Sequence, residues 1–433
     1  MTEFSPAHLR SELLACYDTM IAAVRPGPAL AGALDGIIVP EEPPRVLAIG
    51  KAAAPMARTA AAWLGARGIR PAAGLVIAPD SAPAAGLPVI TGNHPWPGPE
   101  SVAAAEAIGT FCRATPPDSD VWLLLSGGAT SLMAGPETGL SLADLRESYD
   151  MLLASGLDIG AMNLVRKRLS RWGGGKLAAA LAQARVTQFL ISDVPGDALD
   201  AIGSGPAVPD SGSAGGALDV IEAAGLRSRL PRPAMRRLDS MAAGEIPDLP
   251  SADAPAFSRV TTLLVATNRT ALEAGAELGR SLGWRVELEE VPLAGEASVA
   301  GIRLAEKLLA APKSTSPWLL IAGGETPVTL PEGSNGSGGR CQELALAAAN
   351  LLRTGPDDRA LLAAGTDGRD GPTDAAGALV DAGTWQRISD QRVDARRALE
   401  EHDAYPALQA AGDLVRTGPT GTNVGDVVVG MVI

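Results

Sequence analysis

The chain is poor in what would let it hold nucleic acid. Its 433 residues include three Tyr, four Phe and seven Trp, and its formal charge of -13 leaves no diffuse basic field for a phosphodiester backbone or an acidic membrane. Histidine is equally scarce. With only His8, His94 and His402, a His-built metal centre or a Ser/His/Asp triad is disfavoured, although His94 could still serve alone. The three cysteines, Cys16, Cys112 and Cys341, stand far apart and form no CxxC or Cys/His cluster, so they read as reduced thiols of a cytoplasmic protein. No uncharged run free of breakers reaches membrane-spanning length. A secretory leader is not expected either, because Glu3, Glu12 and Asp18 interrupt the first twenty residues.

What is present is alternation. Short apolar runs and helical patterns follow one another along the chain, the signature of an α/β protein built from βαβ units. The run "RVLAIG" (45–50) leads into the helical "KAAAPMARTAAAWLGARG", "VWLLLSGG" spans 121–128, and "VTQFLISD" (186–193) closes the first series. A second series begins near Arg259 with "VTTLLVATN" and ends on "DVVVGMVI". Between them the Pro-, Ala- and Asp-rich stretch 243–257 lacks periodicity. A chain this long exceeds one ordinary core. The expectation is two α/β domains, residues 1–245 and 255–433.

Nearly every predicted strand ends in a polar or glycine cluster, and ligands of open α/β sheets sit beyond the carboxyl ends of strands. Lys51 follows the first strand. Ser126, Gly127, Gly128 and Ser131 lie in "SGGATS", Asp193 and Asp197 in "LISDVPGD", Glu325 in "IAGGET", and Asp367, Asp370 and Asp374 in "AAGTDGRDGPTD". Two such edges suggest a site in a cleft between the domains.

Each signal has an ordinary alternative. A single glycine after a strand is commonly turn punctuation, yet "SGGATS" adds amides and hydroxyls suited to an anion. It matches neither GxxxxGK[ST] nor GxGxxG, which argues against a P-loop enzyme and against a dinucleotide enzyme. Lys51 reads equally as a phosphate or carboxylate partner and as a solvated loop lysine. Asp193 could hold Mg²⁺ or cap a helix. Arg340, at a helix start after a glycine-rich loop, could fork onto a phosphoryl group or pair with Glu343 or another acid. The basic run "NLVRKRLSRWGGGK" reads ordinarily as a solvated helix face, with Asn163, Arg166 and Lys167 toward one side. Anion-binding amides, cations at loop ends and carboxylates for Mg²⁺ together describe phosphoryl transfer to a small anion.

The stretches "GNHPWP", "LLSGGATSL", "NLVRKRLSRWGGGKLA", "SDVPGDALDAIGSGPAVPD", "GSGGRCQELALAAA", "GTDGRDGPTDAAGALVD" and "GPTGTNVGD" resemble, in order and spacing, the glycerate 2-kinase family. The resemblance runs from about Lys51 to the C-terminus. It implies an N-terminal Rossmann-like parallel sheet with flanking helices, a smaller C-terminal α/β domain, and ATP-dependent phosphorylation of D-glycerate to 2-phosphoglycerate. It implies catalytic roles for Lys51 and Arg340. Substrate or phosphate contacts are expected from Ser126, Gly127, Gly128, Ser131, Asn163, Arg166, Glu325 and Asn423, and Mg²⁺ at Asp193 and Asp367. ATP and D-glycerate would be the partners of a cytoplasmic monomer or homodimer. Three positions depart from the pattern: Cys341, Leu164 and Gly425 replace the Asn, Thr and Asn usual there. The alternatives are a hydroxypyruvate reductase, which would need the nicotinamide fingerprint, and a non-catalytic anion-binding protein.

Overall fold

The computed structural model of the chain describes residues 6–312, 316–331 and 333–433. Glu3, one of the acids read near the start, lies outside them. Two compact units emerge, one of residues Ala29–Val265 and one of Ala266–Ile433 together with the chain up to Pro28.

The Ala29–Val265 unit is built on β1 (Arg45–Ile49), β2 (Ala73–Ala78), β3 (Val89–Thr91), β4 (Asp120–Leu125), β5 (Arg185–Ile191) and β6 (Val260–Ala266). Their spatial order is β3-β2-β1-β4-β5-β6, the doubly wound order of Rossmann-like sheets. Pairing is parallel from β3 through to β5. Val121 to Leu125 of β4 are all buried, as a parallel strand covered on both faces requires. Helices over the sheet include Ala53–Gly65 and Pro99–Arg113. On one side Leu47, Leu123, Ile108 and Leu177 share a core. Trp122 meets Trp63 and Phe189 at ring separations of 5.8 Å. The helices Leu142–Ala154, Ile159–Leu169, Ala214–Ala223 and Arg232–Ala242 make a further cluster around Leu145, Tyr149, Val165, Ile221 and Leu238.

The second unit contains β7 (Arg285–Leu288), β8 (Trp318–Gly324), β9 (Arg359–Gly365), β10 (Gly377–Asp381), β11 (Leu414–Val415) and β12 (Asp426–Val432), ordered β11-β10-β9-β12-β8-β7. Only β7 and β8 pair in parallel; β12 lies between β8 and β9, antiparallel to both. Every residue of β9, β10 and β12 is buried. The helices Ala297–Ala310 and Arg340–Leu352 cover one face through Leu304, Leu308 and Leu344.

Both limits differ from the expected 1–245 and 255–433. The strand at Val260, expected to open the second series, instead extends the first sheet beside β5. At the other end, the helix Pro6–Ala23 packs on the helix Asn268–Ser281, β9 and β12 of the second unit. Tyr17 Oη donates to Gly365 O at 2.7 Å, and Arg10 reaches Asp381 at 2.6 Å and Asp413 at 2.9 Å. An apolar run or helical stripe declares that it will be buried, without declaring its partner. Among the described residues no helix is long and apolar enough to cross a membrane.

Candidate active site

In the Ala29–Val265 unit the strand order reverses at β1 and β4, so the crevice of this sheet opens beyond their carboxyl ends. The chain leaves β1 through Gly50 and Lys51 and leaves β4 through Ser126, Gly127 and Gly128. Backbone binds these exits together. Ser126 N donates to Ile49 O at 3.1 Å and Lys51 N to Gly127 O at 3.0 Å. Ala52 N donates to Ser126 Oγ at 3.0 Å, so the Ser126 hydroxyl pins one loop to the other. Gly50 has φ +130°, and a Cβ there would lie 2.2 Å from Ser126 Oγ.

Three side chains converge on the glycine pair. A Cβ on Gly127 would meet Asp193 Oδ2 at 2.1 Å, and one on Gly128 would meet the His94 ring at 3.0 Å and Lys51 Cγ at 3.2 Å. Lys51 is exposed and forms no ion pair among the described residues. Burial pushes the Asp193 carboxyl above its usual range, against its own backbone N–H and Lys51. Burial and then the Lys51 charge push the His94 imidazole below its usual value. Ser131 Oγ donates to Pro95 O at 2.7 Å, tying the loop to the His94 segment. The short helix Ala129–Leu132 follows, and the first N–H groups of any helix have no intrahelical acceptor.

The basic run is not the solvated face read from the sequence. Lys167 is 2% exposed and pairs with Asp210 at 2.6 Å and Asp200 at 3.0 Å. Arg168, fully buried, binds Asp248 at 2.7 Å and the carbonyls of Leu164 and Gly212. Lys176 pairs with Glu137 at 2.6 Å. Arg166 behaves differently: its guanidinium lies 4.8 Å from the Tyr149 ring centroid, and its Nε is buried with no hydrogen-bond partner. Asn163, one turn earlier on the same helix, is also buried.

In the second unit the antiparallel insertion of β12 sets its amino end beside the carboxyl ends of β8 and β9, with Asp426 opposite Gly324 and Gly365. Arg340 opens the helix Arg340–Leu352 and grips Asp426 through Nε and Nη2 at 2.5 and 2.9 Å, while Nη1 reaches Glu325 at 3.0 Å. The ion-pair alternative for Arg340 is thus realised, with Asp426 and Glu325 in place of Glu343. Asp370, 2% exposed, accepts the N–H groups of Cys341 at 3.1 Å and Gln342 at 2.8 Å and so fixes the helix start beside Arg340. Burial, opposed by those two N–H groups, raises its pKa to about 6.

Asp367 accepts Arg369 N at 2.9 Å and points toward Gly365, whose Cβ would lie 3.2 Å from Asp367 Oδ1 and 3.5 Å from Asp426 Oδ1. Asn423 Oδ1 accepts Gly425 N at 3.1 Å just before β12. Cys341 is buried, and its backbone rather than its thiol contacts Asp370. Asp426, which closes the quoted motif "GPTGTNVGD", is the residue that sequence reasoning missed; Asp370 is among the loop acids already read, though not as the partner of a helix start. Among the described residues no three His, Cys, Asp or Glu side chains form a group that could hold a metal. Beside Arg340 opens a cavity of about 520 Å³.

Two family models match the chain: a domain of unknown function, DUF4147, over residues 12–239, and the MOFRL family over residues 318–426. The glycerate 2-kinase of Pyrococcus horikoshii is 38% identical over 352 residues, covering 80% of this chain and 78% of that protein. The D-glycerate 2-kinase of Thermotoga maritima is 34% identical over 99% of this chain and 100% of its own. A crystal structure of glycerate kinase from the same organism superposes with a TM-score of 0.88 at 32% identity, over 99% of this chain and all of that one. A relative from Agrobacterium vitis bearing a hydroxypyruvate-reductase name is 36% identical over 96% of this chain and 93% of that protein.

Proposed function

The chain belongs to the glycerate 2-kinase family, and on that premise we propose that it transfers the γ-phosphoryl group of ATP to the 2-hydroxyl of D-glycerate. The observation that carries the reading is Lys51, an unpaired cation over the Gly127–Gly128 loop at the switch point of a Rossmann-order sheet. Phosphoryl transfer asks a protein chiefly for positioning and charge neutralisation.

In this reading the carboxylate of D-glycerate lies against the N–H groups opening the helix Ala129–Leu132, with Arg166 and Asn163 as further donors to the acid. In the Ala29–Val265 unit Lys51 faces the charge that spreads over the transferring oxygens, and in the other unit Arg340 is the cation for the phosphates of the donor. Arg340 enters with its orientation set by Asp426 and Glu325. Asp193, whose affinity for a proton is raised by burial and which stands against Gly127, accepts the proton that leaves the 2-hydroxyl late in the transfer.

A loop carboxylate suits Mg²⁺, a hard cation that takes one or two protein carboxylates and keeps waters and phosphate oxygens for the rest. Asp367 is the carboxylate that would hold it, Asp193 being the proton acceptor. When bound, it would neutralise charge on the triphosphate.

The test is to mix the purified protein with D-glycerate, ATP and Mg²⁺, follow ADP, and identify the product by phosphorus NMR. ADP formation that depends on D-glycerate, with phosphate at the 2-position, is expected. NADH consumption with hydroxypyruvate and no ADP would sink the reading.

A further inference from the structure

We propose that the cavity beside Arg340 receives the purine base of the phosphoryl donor, the exocyclic amine of adenine donating to Glu343 and the phosphates running toward Arg340. The inference rests on the kinase reading above and names where the donor's nucleoside goes. A volume of about 520 Å³ falls within the roughly 300–1,000 Å³ of small-molecule sites, which are mostly apolar with a few convergent polar groups. Pro327, Val328, Leu330 and Pro372 supply apolar lining, and Gly338 and Gly339 also border the cavity.

The polar groups are few and ordered along one helix. Arg340 and Glu343 stand three residues apart on the first turn of Arg340–Leu352 and therefore share a face, and both line the cavity. The Cys341 and Gln342 amides of that turn are already taken by Asp370, which leaves Arg340 as the anion-binding group there.

Glu343 is the unusual member. It is 4% exposed, and among the described residues its carboxylate has one hydrogen-bond partner, His402 Nδ1 at 3.2 Å. Buried carboxylates ordinarily collect several donors, and one left half-satisfied beside an apolar hollow is suited to an N–H brought by a ligand. An ionised carboxylate accepts and never donates, which selects a base edge bearing an amine.

Calorimetric titration with ATP and with purine riboside 5′-triphosphate, which lacks only the 6-amine, reads this contact without turnover. The unaltered protein is expected to bind the amine-free nucleotide about ten- to hundredfold more weakly, the range for a hydrogen bond to a charged group. In Glu343→Ala the two nucleotides are expected to bind within about twofold of each other. Equal affinities in the unaltered protein overturn the proposal, as does discrimination that survives Glu343→Ala, or no binding of either nucleotide. The kinase reading fails separately. Amine-dependent binding without glycerate-dependent ADP keeps the base site and discards the acceptor, whereas normal turnover without discrimination does the reverse.

Discussion

Lys51 and Arg340 are both cations beside strand ends, and they keep opposite company. Lys51 is exposed over two glycines with no acid bound to it, whereas Arg340 is clasped by Asp426 and Glu325. An ammonium on a flexible stem is a point charge that can follow an anion. A guanidinium held by two acids is oriented before any anion arrives, and its remaining N–H groups and field are what it offers. The lesson is that losing Lys51 removes chemistry alone, while losing Arg340 removes chemistry and a piece of the fold.

Arg340→Ala should therefore show the largest combined effect. We expect kcat/KM for D-glycerate to fall by about 10²–10³, together with a stability loss of about 1–3 kcal/mol from Asp426 left buried without its partner. Adding Asp426→Asn should recover stability in urea melts and leave activity low; recovery of both would break the contrast. Lys51→Ala should cost a similar factor in kcat/KM with the melting midpoint unmoved. A drop of more than about 3 °C, the mark of about 1 kcal/mol in a unit of this size, would erase the distinction.

Arg166→Met sharpens it from a third position. Because Arg166 sits on Tyr149 with an unpartnered Nε, the expected change is a KM for D-glycerate raised about ten- to hundredfold. An unchanged KM would return Arg166 to the structural network of its neighbours Lys167 and Arg168.

The smallest effect concerns Asp370, whose folded pKa of about 6 stands above its ordinary 3.8. A raised acid pKa means the folded state holds the proton more tightly. That stabilisation is complete below pH 3.8, drains as pH rises to about 6, and is gone above. Relative to Asp370→Asn, the unaltered protein should lose on the order of 2 kcal/mol across that window. Parallel urea melts at pH 4.5 and pH 7 check the sign, and equal slopes would contradict it.

Much of the Ala29–Val265 unit was legible because its strands are long apolar runs and its ligand loops follow them directly. Lys51, the "SGGATS" loop and Asp193 are brought together by the parallel order that the alternation implied. The Arg340 site was harder to read. Its principal partner Asp426 lies 86 residues away and arrives through an antiparallel insertion of β12 that no local pattern announces. The basic run misled for a related reason. Asp200, Asp210 and Asp248, which neutralise it, lie 33 to 80 residues downstream, so a stretch that looks solvated in isolation is buried once its acids fold over it.

Because the chain up to Pro28 completes the unit formed by Ala266–Ile433, the ribosome releases the helix Pro6–Ala23 long before its docking surfaces. At roughly 5–20 residues per second, Leu9, Leu13, Tyr17 and Met20, all fully buried in the finished protein, wait on the order of half a minute or more for β12 to appear. Residues 29–265 can meanwhile assemble their own sheet. A nascent chain stalled before β12 would carry a folded sheet in residues 29–265 and an uncovered apolar stripe on the helix that precedes it, a form suited to chaperone capture or to aggregation.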